Sequence, residues 1–229
     1  MLGINPSLLQ TFILWLSTII LITLPAMHPN VLTSEQLQLL PLVRGFSSDF
    51  YLVGGTALAF QYGHRRSTDF DLFSKKPFNN LDIRRTINKS NKISGLRLES
   101  EGELTLLVEN IKMTFLHFEY PVPHTIDVDG IITAPDDLII GAMKAFAMGQ
   151  RSKWKDYVDL YFIFQHHSLQ TVIEKAEEIF GKNEFNSRLF REQLAYHKDI
   201  NYQEEIEWMP GFEVDKDKIL STLIDVSIS

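Results

Sequence analysis

No cysteine occurs in the 229 residues. That excludes disulfides and thiolate metal sites, and it fits a reducing compartment such as the cytoplasm. Charge is missing from the first 34 residues, which hold no Asp, Glu, Lys or Arg. A secretory leader carries a basic segment ahead of its apolar stretch, and a membrane span carries Lys or Arg on a flank. Here the nearest basic residue is Arg44. Residues 8–24 still form a nearly continuous apolar run, at the lower length limit for crossing a bilayer. Three readings of residues 1–26 stand side by side: sequence upstream of a true start at Met27, a membrane anchor through residues 8–24, or a helix packed on the domain. Basic residues are in deficit, 22 against 29 acidic, for a net charge of −7. That balance argues against broad electrostatic attraction to nucleic acid. The deficit is uneven. Residues 63–97 hold nine Lys and Arg against three Asp, and residues 199–215 hold six acids and no base. The first is either a basic face or the wet side of a helix, and the second is either a partner surface or an ordinary loop.

What is present is ordinary for a globular protein, with 45% hydrophobic and 22% charged residues in a chain long enough for one or two domains. The informative stretch is Tyr51 to Ser74. An apolar run, Phe50 to Val53, predicts a strand. Gly54-Gly55 follow, then a helical pattern through Ala57, Leu58, Ala59 and Phe60 that ends near Gly63. A strand entering a helix through a glycine pair leaves bare N–H groups where a phosphate binds well. Thr68 to Phe73 then alternates as a second strand, with Asp69 and Asp71 on one face and Phe70 and Leu72 on the other. Two adjacent carboxylates repel unless a cation lies between them. Oxygen ligands of this kind suit Mg²⁺, or Mn²⁺, holding substrate phosphates. Either half alone reads as a tight turn or a solvated strand end. In this order and spacing they point to a phosphate-plus-metal site. Arg66 stands between the two, either leaning on a triphosphate or as a surface loop charge, and Ser67 and Thr68 are placed to hold phosphate or cap a turn.

GGTALA, RRSTDFDLF and, further on, KAFAMGQRSKWKDYVDL resemble the three signatures of the AbiEii/AbiGii-type nucleotidyltransferases, over about residues 27–225. That family comprises toxins of type IV toxin–antitoxin and phage-defence systems within the DNA polymerase β-like superfamily. The resemblance implies an α+β fold: a polymerase β-like core with a mixed sheet over 27–133, then a helical C-terminal region over 134–229. It implies an NTP bound through Gly54, Gly55 and Thr56 with a metal on Asp69 and Asp71. It carries Lys144, Arg151, Lys153, Asp156 and Asp159 onto the third motif, with Lys144 as a phosphate contact and Asp156 as its partner or as proton acceptor. It implies transfer of a nucleotide to an acceptor hydroxyl, the 3′ end of tRNA in relatives, and a cognate antitoxin. A small-molecule or protein acceptor, and a nucleotide-binding module without turnover, are the rival expectations.

The resemblance also predicts a third carboxylate on a later strand. Leu104–Val108 and Ile111–Leu116 read as a hairpin turning at Glu109-Asn110. Thr114 stands where that acid belongs. Glu119, Asp127 and Asp129 are the nearby alternatives, and a one-metal scheme is the expectation. Helices are expected from Thr33-Ser34-Glu35 onward with Leu32, Leu37, Leu39 and Leu40 inward, and over residues 78–93, 136–148, 152–166, 169–180, 185–197 and 216–225. Thr125–Ile132 reads as an extended connection or short strand. His166, His167 and His197 have no partner at ligand spacing and read as structural.

Overall fold

The computed structural model describes residues 27–229. The apolar run at residues 8–24, with its three readings, lies outside the described residues. After a 3-10 turn at Pro29–Val31 comes helix α1 (Ser34–Gly45). Thr33 caps it: its hydroxyl accepts from Gln36 N–H, and the Gln36 side chain accepts from Thr33 N–H in return. The inward residues are Gln36, Leu39, Leu42 and Val43, whereas Leu37, expected inside, is exposed.

The chain then forms β1 (Tyr51–Val53), helix α2 (Gly54–Tyr62), β2 (Phe70–Ser74), α3 (Asn80–Ile87), β3 (Ile93–Ser100), β4 (Glu103–Val108) and β5 (Ile111–His117). These strands make one five-stranded mixed sheet in the order β1-β2-β5-β4-β3, with β2 and β5 parallel and the other pairs antiparallel. The β4–β5 turn is the expected two-residue one. Glu109 and Asn110 both take positive φ, 48° and 69°, the pairing that matches strand twist. The helix expected over 78–93 stops at Ile87, and residues 93–100 form the edge strand β3 instead. That strand has register shifts after Ile93 and Leu96 and leaves Leu96 and Leu98 exposed. Bulges blunt a sheet edge against pairing with another chain.

Period-two alternation gives the sheet two unlike faces. Phe70, Leu72, Leu104, Leu106, Val108, Met113 and Phe115 are fully buried on one. Phe46 and Phe50, just past α1, meet Phe115 there edge-on at 4.9 and 5.3 Å between ring centroids. The other face carries Asp71 and Phe73 from β2, Lys112, Thr114 and Leu116 from β5, and Glu103 and Thr105 from β4, all lining one cleft. Register places Asp71, Thr114 and Thr105 in one row across three strands.

Residues 126–134 are a small antiparallel hairpin, β6 (Ile126–Val128) and β7 (Ile132–Ala134), rather than a single connection. The rest is helical: α4 (Asp137–Met148), α5 (Trp154–Ile163), α6 (Leu169–Phe180), α7 (Ser187–Ala195) and α8 (Lys216–Ser227). Asp136 caps α4 by accepting from Ile139 N–H at 2.8 Å. Buried apolar residues from Val31 to Leu223 form one continuous core. Among the described residues no helix is long and apolar enough to cross a membrane.

Candidate active site

The cleft has a volume of about 440 Å³ between the polar sheet face, the start of α2, and helices α4 and α5. Gly54 begins α2 directly from β1 with φ +70°, and no side chain caps the helix start. A Cβ built there would lie 2.7 Å from Asp71 Oδ2. Glycine is therefore required twice over: for the left-handed backbone and for the approach of the carboxylate. Gly55 also lines the cleft, and a Cβ there would collide with the Arg65 guanidinium.

Both aspartates reach the cleft. Asp71 lies in β2, and Asp69 just precedes the strand. Burial pushes the Asp71 carboxyl up, its neighbour Asp69 adds to this, and Lys112 opposes it. Lys112, two residues before Thr114 on β5, ion-pairs with Asp69 Oδ2. Burial works against the Lys112 charge, but the two carboxylates outweigh it and its pKa is raised. Thr114, beside Asp71 in the parallel register, is where a third acid would stand. The alternatives do not replace it. Glu119, Asp127 and Asp129 do not line the cleft, and the Asp127 carboxylate accepts from Gly130 N–H within its own turn. Glu103 lines the cleft but shares its row with Phe73 and Leu116, two strands away from β2. Among the described residues, no three His, Cys, Asp or Glu come together as metal ligands. The two aspartates fit one oxygen-liganded divalent ion completed by substrate phosphates.

The opposite wall is a buried charge network. Lys144 of α4 donates to Asp156 Oδ1 at 2.8 Å and pairs with Asp159 Oδ2 at 2.6 Å, both on α5. Arg65 grips Asp159 with Nε at 2.7 Å and Nη2 at 2.8 Å, and His64 Nε2 lies 2.8 Å from the same carboxylate. Burial opposes ionisation of Asp159, but the Arg65 and Lys144 charges hold its pKa well below the usual range. Asp156 is lowered for the same kind of reason by Lys144 and Arg151, the latter donating from Nε at 3.1 Å. Lys144, Arg151, Lys153 and Asp156 line the cleft, whereas Asp159 is fully enclosed behind it.

Two expected phosphate contacts are elsewhere. Arg66 turns away to Glu207 at 2.6 Å and the Leu32 carbonyl at 2.9 Å, and its neighbour Arg65 takes the place at the cleft. Thr56 is buried, and its hydroxyl reaches Ser67 Oγ at 2.8 Å and the Asp69 carbonyl, so it braces the segment that presents Asp69. Ser67 and Thr68 do line the cleft. Sequence reasoning missed Lys112, Arg65, Lys155 and Glu204. Period-two reading of β5 outward from Thr114 was a signal for Lys112. Nothing local distinguishes Arg65 from Arg66. Glu204 comes from the acidic stretch 199–215, which reaches the cleft at this residue, and it pairs with Lys153 at 3.1 Å and Lys155 at 3.0 Å. Despite partial burial, those two lysines hold its carboxyl down to about 2.

Residues 42–135 match the family model for the nucleotidyl transferase AbiEii toxin of type IV toxin–antitoxin systems. An uncharacterized protein of Aquifex aeolicus is 36% identical over 186 residues, covering 76% of this chain and 88% of that protein. Among solved structures, MenT4, a nucleotidyltransferase toxin of Mycobacterium tuberculosis, superimposes with a TM-score of 0.59 at 13% identity, over 83% of this chain and 80% of that one. JHP933 of Helicobacter pylori gives 0.51 at 16% identity, over 86% and 92%. At such identities these two structures speak for the fold. The family model spans the glycine pair, both cleft aspartates and the β4–β5 hairpin, and the chain belongs to the AbiEii toxin family of nucleotidyltransferases.

Proposed function

We propose that the protein transfers a nucleotide from an NTP to the 3′ hydroxyl of a tRNA, with loss of pyrophosphate, as a toxin held in check by a cognate antitoxin in phage defence. The observation that supports this most is a single cleft that gathers an uncapped glycine helix start, an aspartate pair and a cationic wall. Each part answers one need of phosphoryl transfer, which is governed by positioning and charge. The Gly54 and Gly55 backbone receives phosphate oxygens. Asp69 and Asp71 would hold Mg²⁺ or Mn²⁺ together with those oxygens, and the ion when bound offsets phosphate charge and polarises the reacting phosphorus. Lys144 and Arg151 face the developing charge of the leaving pyrophosphate.

Asp156 is read as the group that holds Lys144 and Arg151. A carboxyl held low by two cations is a poor proton acceptor, which favours this role over general base. The tRNA acceptor, the antitoxin and the defence role rest on the family resemblance. The test is incubation with each α-³²P-labelled NTP, Mg²⁺ and total cell RNA. A tRNA-sized labelled band is expected, and Asp69→Ala with Asp71→Ala should abolish it. Label retained in that double variant would overturn the metal assignment. Label on a small molecule or protein and none on RNA would overturn the tRNA acceptor.

A further inference from the structure

We infer that Lys112 is the resident counter-ion of the aspartate pair, and that it keeps a divalent ion from binding tightly until the nucleotide arrives. The inference rests on the proposed metal role of Asp69 and Asp71. Lys112 stands on β5, the strand hydrogen-bonded alongside β2, and its ammonium pairs with Asp69 Oδ2. The position is set by the sheet. Lys112 and Thr114 share the polar face of β5, and Thr114 is directly beside Asp71. The strand that would bring a third carboxylate to the pair thus brings a hydroxyl and a cation. Without nucleotide, two carboxylates and one ammonium leave at most one net negative charge, and less where the buried Asp71 holds a proton. That is a weak attraction for a divalent ion, which gives up its water reluctantly. An NTP adds several phosphate charges and raises the attraction.

Two features make this more than a surface ion pair. Lys112 and Asp69 are each about one-third exposed on their side chains, so the pair is only partly screened by water. The other cleft lysines have separate partners: Lys144 pairs with Asp156 and Asp159, and Lys153 and Lys155 pair with Glu204. Lys112 is therefore the ammonium committed to the metal-binding carboxylates.

The test reads metal binding directly. Free Mn²⁺ is followed by electron paramagnetic resonance during titration of the nucleotide-free protein, the Lys112→Met variant and the Lys112→Arg variant. Folding of each is checked by thermal melting, and Lys112→Gln replaces the Met variant if that one fails to fold. Loss of the ammonium should tighten Mn²⁺ binding by about tenfold or more, since a cation a few ångströms away is removed. Lys112→Arg should bind as weakly as the unaltered protein. Adding Asp71→Asn to Lys112→Met should abolish the gain. Equal Mn²⁺ affinity in the unaltered and Lys112→Met proteins would overturn the inference while leaving the metal reading intact. Absence of Mn²⁺ binding in every protein, even with a non-hydrolysable NTP present, would overturn the metal reading and this inference with it.

Discussion

A methyl group at residue 54 has nowhere to go. It would sit 2.7 Å from Asp71 Oδ2 on a backbone already at φ +70°. Gly54→Ala should therefore cost about 1–2 kcal/mol from the left-handed backbone alone. It should also push Asp71 off its position and lower kcat by about tenfold or more, since small displacements at a reacting centre are expensive. Gly181 separates the two effects. It has φ +79° and nothing within 4 Å of a built Cβ. Its ψ of 148° lies in the region open to little but glycine, so Gly181→Ala should lose at least as much melting stability and keep its activity. Activity retained in Gly54→Ala would show that Asp71 does not need its present position. At this scale the sequence was legible where chemistry is local. A glycine pair between a strand and a helix, and an Asp-x-Asp on alternating positions, declare themselves. Arg65 and Arg66 do not, because a distant Asp159 and a distant Glu207 decide which of them turns inward.

Elements were legible to the extent that their own residues mark them. The β4–β5 hairpin was readable from a two-residue join, α4 from apolar spacing and helix-start residues, and α6 and α8 from apolar spacing. The edge strand β3 was not, since ISGLRLES carries a glycine and little buried surface, and its strand pairing is supplied by β4. The stretch 199–215 reads as a plain acidic loop until the fold brings it to the cleft at Glu204, bridging to Lys153 at Asn201 and to Arg65 at Trp208. There Glu204 occupies two lysines that face the same cavity as the proposed triphosphate site. A carboxylate on a lysine pair competes with phosphate for the same positive field. Glu204→Gln should therefore lower KM for NTP by about threefold to tenfold with kcat little changed, and the difference should shrink as salt is raised. A rise in KM would mean that Glu204 aligns the lysines instead of competing for them.

Across the whole molecule, the buried network joins early sequence to late: His64 and Arg65 follow α2, whereas Lys144, Asp156 and Asp159 come from α4 and α5. The third motif was legible as a pattern of charged residues, but its core-spanning role was not, because its partners lie more than 90 residues away in sequence. This network gives the protein a defined sensitivity to acid. Burial is the main force on His64 and lowers its pKa from 6.5 despite the neighbouring Asp159, so the folded state keeps it neutral. The unfolded chain takes up that proton as pH falls below about 6.5 while the folded chain does not, and stability declines from there. Asp159, held well below its ordinary 3.8, works in the same direction lower down. Its contribution is complete above the unfolded value and is lost as pH falls through the depressed folded one. Melting temperature followed from pH 8 to pH 3 should fall in two limbs, and His64→Gln should flatten the upper one. Asp159→Asn should cost about 3–5 kcal/mol already at neutral pH, because it leaves Arg65 and Lys144 short of a buried counter-charge. A melting temperature flat from pH 7 to pH 5 in the unaltered protein would refute the neutral His64. An Asp159→Asn protein as stable as the original would refute the network as a tie between the two ends of the sequence.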